Sequence, residues 1–117
     1  MITLEPGSIL LGTTRPTELR DWYRKALAPG HEGDGPFDLG GLLLVIDGRD
    51  DVGAKNSEPG RMIINFHVDD FDAVEAQLRA AGVKWVSPVE DRPLGRFGTF
   101  ADPDGNYLQI IQFKQGA

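Results

Sequence analysis

The sequence predicts an α+β fold of two βαβββ-type modules, and three observations lead there. A strand followed by a helix occurs twice, and an offset of 55 residues superimposes the two apolar patterns, pairing Leu11 with Phe66, Thr13 with Val68, Leu19 with Val74 and Tyr23 with Leu78. Strand-like runs follow each helix: Pro36–Leu39 and Leu42–Asp47 in the first half, then Lys84–Val89, Gly95–Ala101 and Asn106–Phe113 in the second. The 15 Gly and 8 Pro among 117 residues suit short strands better than a helical bundle.

Residues 8–14 read as the first strand. After Pro16 the spacing turns helical, with Leu19, Trp22, Tyr23, Ala26 and Leu27 on one face and Thr17 as the expected N-cap. Ala28-Pro29-Gly30 should stop this helix. The following Gly-rich stretch, residues 30–35, leaves little room for a second strand, so the first module is expected to be short there. Residues 48–61 read as a linker, which bounds the modules at about 8–47 and 62–113 within a single domain. Met62–Val68 then reads as a strand, and Phe71, Val74, Leu78 and Ala81 mark the buried face of a second helix. Asp72 and Glu75 stand at capping-box spacing, and Gly82 is placed as the C-cap.

Composition excludes several function classes. With no cysteine, the chain has no disulfide framework, thiolate zinc site or thiol nucleophile. A net charge of −6 argues against neutralising phosphates, so no nucleic-acid partner is expected. No apolar stretch approaches the ~18 residues of a membrane span, and Met1–Gly7 lacks a signal-peptide pattern, so a cytoplasmic protein without a membrane partner is expected.

Asp102-Pro103-Asp104-Gly105-Asn106 reads as a turn, with Pro where φ is fixed, Gly where φ is positive and the two carboxylates as partners for backbone N–H groups. Its setting is more specific: a strand ending His67-Val68-Asp69-Asp70, a helix ending Arg79-Ala80-Ala81-Gly82-Val83, Pro93-Leu94-Gly95, and Leu108-Gln109-Ile110 after the turn. Together these resemble the glyoxalase/bleomycin-resistance/dioxygenase family, the vicinal oxygen chelate fold. That resemblance implies an open, cup-shaped mixed sheet with helices outside, and a homodimer.

Enzymes of that family usually hold a divalent metal, and the resemblance places its ligand positions on Ser8, Ile63 and Gln109. A hard cation needs several oxygen donors, preferably anionic, whereas zinc or iron needs imidazole, carboxylate or thiolate. Two neutral donors and an aliphatic side chain offer neither, so neither a metal nor another cofactor is expected. Alternation from the same positions selects the side chains expected to face the cup: Leu10 and Gly12; Asn65 and His67; Tyr107, Ile111 and Phe113. By analogy with the family pattern, Phe97, Thr99 and Trp85 join them, opposite Leu43 and Val45.

The expected ligand-binding set is therefore Trp85, Phe97, Tyr107, Asn65, His67, Thr99, Gln109 and Ser8. Aromatic rings with a few neutral polar groups compose a small-molecule pocket. The expected function is metal-free sequestration, of the bleomycin-resistance type, of an aromatic or largely apolar ligand such as an antibiotic. The alternative is a glyoxalase-like enzyme, using either another metal site or His67 as a cofactor-free acid/base.

Overall fold

The computed structural model describes residues 2–114. The chain divides between Ala54 and Lys55 into two compact units, each combining strands with one helix.

In the first unit, β1 (Ser8–Thr13) is followed by α1 (Pro16–Leu27), β2 (Phe37–Leu39) and β3 (Leu42–Gly48). The sheet order is β1-β3-β2, with β1 parallel and β2 antiparallel to β3. One strand of the expected βαβββ pattern is therefore missing among the described residues, because the Gly-rich stretch forms turns and bends instead. The β2–β3 hairpin turns on Gly40 and Gly41, both with positive φ (70° and 98°), the conformation a two-residue hairpin loop requires. The core of the unit consists of Leu19, Tyr23 and Ala26 of α1 with Phe37, Leu44 and Ile46. Each fully buried large apolar side chain contributes about 1.5–3 kcal/mol. The opposite sheet face carries Ser8, Leu10, Leu43 and Val45, and all but Val45 are exposed.

Helix α1 begins differently from expectation. Thr17 lies inside the helix; Arg15 occupies the N-cap without a side-chain capping bond, and Pro16 takes the first helical position, where a missing N–H costs nothing. The buried Thr13 hydroxyl instead accepts a bond from the Arg15 N–H at 3.0 Å.

The second unit contains β4 (Ile64–His67), α2 (Phe71–Ala80), β5 (Lys84–Trp85), β6 (Glu90–Arg92), β7 (Gly95–Ala101) and β8 (Tyr107–Phe113). Its sheet runs β4-β8-β7-β5, with β6 also paired to β7 and β4 parallel to β8. Of the strand expected over Lys84–Val89 only Lys84–Trp85 forms; β6 follows beyond it along the same edge, and Pro88, which has no N–H to donate, lies between the two.

Helix α2 is capped by Asp70, whose carboxylate accepts from the Ala73 N–H at 3.1 Å; the Asp72/Glu75 capping box does not form. Gln112 of β8 adds a second tie, its Oε1 accepting the Phe71 N–H at 2.8 Å. At the other end, Gly82 (φ 78°) allows its own N–H to reach Arg79 O and the Val83 N–H to reach Leu78 O, closing a Schellman motif. Phe71, Leu78, Val83, Phe100, Leu108, Ile110 and Ile111 are the buried apolar side chains of this unit.

The turn after β7 is held by one carboxylate. Asp102 Oδ1 accepts from the Asp104 and Asn106 N–H groups at 2.9 and 3.0 Å, and Oδ2 accepts from Asn106 Nδ2 at 2.9 Å. Gly105 supplies the positive φ of 83°. The end of the expected linker is anchored on this turn: the Asn56 N–H donates to Asp104 O at 2.8 Å, and Lys55 Nζ donates to Pro103 O.

Replacing Asp102 with Ala strips a buried turn of three accepted bonds. We expect a loss of about 1–3 kcal/mol in urea denaturation with an unchanged slope. In the first unit, Arg49 pairs with Asp51 at 2.6 Å and with Asp47 at 3.4 Å, and holds the Asp51 carboxyl below its ordinary range. The pair persists above the ordinary carboxylate pKa and is lost as pH falls through the lowered Asp51 value. Arg49→Ala should therefore move the Asp51 titration upward in a carboxyl-detected NMR experiment.

Candidate functional site

Register in the second sheet decides which side chains share a face. Phe100 lies opposite Leu108, Gly98 opposite Ile110 and Arg96 opposite Gln112, and this set meets α2. The alternate set faces away from the helix: Tyr107 beside Ala101, Gln109 beside Thr99, Ile111 beside Phe97 and Phe113 beside Gly95. Strand β4 extends two of these rows, with Asn65 beside Gln109 and His67 beside Ile111. Six expected site residues, Asn65, His67, Phe97, Thr99, Tyr107 and Gln109, therefore occupy one face in ordered rows. Ser8 stands on the first unit's sheet, exposed, beside Leu43.

One row is polar and uncharged. Gln109 Nε2 donates to Thr99 Oγ1 at 2.9 Å, which leaves Gln109 Oε1, its second amide hydrogen and the Thr99 hydroxyl proton available. Asn65, exposed, makes no side-chain hydrogen bond among the described residues. The next row is aromatic and apolar. Phe113 meets His67 edge-on at 4.9 Å between ring centroids and Phe97 edge-on at 6.3 Å, while the Arg92 guanidinium lies 4.6 Å from the Phe97 centroid. His67, Ile111 and Phe113, with Val68, Asp69 and Gln112, line a cleft of about 390 Å³ at the ends of β4 and β8.

Trp85 does not join this face. It pairs with Phe100, contacts that ring at 5.7 Å and lies 5.0 Å beneath Arg79 of α2. A Cβ at Gly98 would stand 3.0 Å from the Trp85 ring and 3.2 Å from Phe71, so the missing side chain makes room for the indole against the helix. The two-residue strand β5 aligns Trp85 with Phe100 rather than with Thr99, and that register sends it inward. Arg96 also belongs to the helix side, paired with Asp72 at 2.7 Å and stacked on Phe71.

Two residues outside the expected ligand-binding set join this face. Alternation puts Phe113 there, but its position between His67 and Phe97 depends on the pairing of β8 with both neighbours. Arg92 becomes a neighbour of Phe97 through the hairpin at Pro93-Leu94, which sets Arg92 opposite Gly95 and Glu90 opposite Phe97.

A family model for the glyoxalase/bleomycin resistance protein/dioxygenase superfamily matches residues 6–110. The chain belongs to that superfamily. Among solved structures, a member domain from Frankia shares 22% identity with a TM-score of 0.75, covering 100% of this chain and 96% of its own. TnmS3, an antibiotic-binding protein from a Streptomyces species, shares 23% at TM-score 0.71, covering 97% and 99%. The fosfomycin resistance protein FosX from Listeria monocytogenes shares 17% at TM-score 0.67, covering 98% and 96%. These likenesses establish the glyoxalase-like α+β fold. No curated protein gives a significant sequence match.

Ser8, Ile63 and Gln109, the positions where the resemblance places a divalent metal, do not form a donor set that fits one. Ser8 offers a neutral hydroxyl, Gln109 only the neutral oxygen of an amide, and Ile63, immediately before β4, offers no donor. Among the described residues, no group of three His, Cys, Asp or Glu side chains is arranged to hold an ion. Nor is any described helix long and apolar enough to cross a membrane.

The seat of Trp85 yields a packing prediction. Gly98→Ala should push the indole off Phe71 and cost about 1–3 kcal/mol. A shifted Trp emission in the folded state, absent from the same substitution made in a Trp85→Phe background, would identify the displaced ring.

Proposed function

We propose that this superfamily member is a metal-free small-molecule-binding protein whose ligand is aromatic or largely apolar and lies on the open face of the second sheet. The observation that carries this reading is the composition of that face: β4, β7 and β8 present on it rings, the Asn65 and Gln109 amides, the Thr99 and Tyr107 hydroxyls and Ile111, and those three strands add no carboxylate, ammonium or guanidinium to it. Such a surface supports stacking and neutral hydrogen bonds. Among the described residues the His67 ring packs edge-on against Phe113 and makes no side-chain hydrogen bond to a carboxylate, the contact that would orient a general base. The antibiotic-binding neighbour is consistent with sequestration as the role, and antibiotics are the first ligand class to screen. A cytoplasmic homodimer completes the proposal; the exposed Leu10 and Leu43 of the first sheet are the apolar residues that a second copy would cover.

Binding of a panel of aromatic antibiotics, followed by calorimetry, tests the assignment. Phe97→Ala should weaken binding by about 5- to 15-fold, the equivalent of one aromatic contact of about 1–1.5 kcal/mol. Stoichiometric metal in the purified protein, or conversion of a bound compound that His67→Ala abolishes while binding persists, would overturn it.

A further inference from the structure

We infer that the ligand is a neutral aromatic molecule carrying a carboxamide-type edge, an amide or a ring lactam, and that Asn65 and Gln109 read this edge while His67, Phe97 and Phe113 hold the ring. This deepens the proposed function and rests on it.

The inference follows from how the two rows adjoin. Asn65 and Gln109 are register partners on parallel neighbours β4 and β8, so two primary amides stand side by side on one face, about 4.8 Å apart along the sheet. One residue pair further along the same strands, His67 and Ile111 begin the apolar row, which Phe97 completes across β7. A ligand lying across both rows meets rings under one end and amides under the other.

Hydrogen-bonding capacity then selects the polar end. Gln109 commits one amide hydrogen to Thr99 and keeps a donor and an acceptor. Asn65 keeps its donors and its acceptor. A group that both donates and accepts satisfies this pair, whereas an ether, ester or hydrocarbon edge leaves donors or acceptors unpaired once water is displaced.

Charge selects against ions. No formal charge lies on the inner three strands of this face. At the edge, Glu90 and Arg92 neutralise each other at 3.0 Å, and Lys84 stands opposite Ala101. Asp69 lines the far end of the cleft beside His67. A carboxylate or ammonium seated on the amide row would have no counterion within that row.

Three matched probes, 2-naphthamide, 2-methylnaphthalene and 2-naphthoate, titrated calorimetrically into the full chain at pH 7.5, test the inference. The amide should bind about five- to tenfold more tightly than the methyl compound, the value of one or two neutral hydrogen bonds. The naphthoate should bind no better than the methyl compound. Asn65→Ala, at an exposed position without structural partners, should erase the amide's advantage while leaving 2-methylnaphthalene affinity and the melting temperature unchanged; Gln109→Leu should do the same for the amide. Equal binding of all three probes, or preference for naphthoate, overturns the inference and leaves the aromatic-binding reading intact. Failure of every probe to bind overturns both.

Discussion

The alternation of strand β8 is the constraint on which the second unit depends. Each side chain from Tyr107 to Phe113 is committed to one of two faces, and β8 pairs with both β4 and β7, so its register is imposed on three strands at once. Leu108 and Ile110 belong to the core with Phe100, while Gln112 on the same face ties the first N–H of α2 to the sheet. Gln109, Ile111 and Phe113 are thereby left on the other face. A slip of one residue would exchange the two sets, burying the Gln109 amide and exposing the core, so packing and site composition are coupled consequences of one register.

Two short-range devices stabilise that register. The Asp102 carboxylate folds the connection between β7 and β8 tightly enough to set Ala101 opposite Tyr107, and the anchoring of Lys55 and Asn56 on the same turn brings in the chain that leads to β4. At the opposite end, Gly95 lies so close to Gln112 O that a Cβ would stand 2.5 Å away, making a larger residue there incompatible with the close approach of β7 and β8. The polar turn formers thus act on function at a distance: they hold Thr99 against Gln109 and Phe97 against Ile111 without touching either row.

The packing of the second unit does not depend on which side chains stand at Ile63 and Gln109. The buried sides of the strands carry the packing information, and Ser8, Ile63 and Gln109 lie outside that buried set. Gln109 instead joins Thr99 in a neutral pair, which costs less to keep partly shielded from water than a carboxylate without a cation would.

The sequence by itself determined the elements that local chemistry can write: two helices from 3.6-residue spacing, the Gly82 stop, the Asp102–Asn106 turn, and the face of each residue on the long strands from period-two alternation. Alternation counted from positions that the family resemblance supplies puts Asn65, His67, Tyr107 and Gln109 on one face, and the family pattern adds Phe97 and Thr99; the paired strands carry all six on that face. Where elements are short or contacts non-local, tertiary structure decided. Asp70 took the cap expected of Asp72 because Gln112, forty-two residues further along, fixes the first turn at Phe71. Trp85 turned toward α2 because a two-residue strand has no alternation of its own and takes its face from Phe100 across the ladder. The rings of His67, Phe113 and Phe97 became neighbours only when three strands were paired, since each strand supplies one of them and sequence spacing carries no information about adjacency across a sheet.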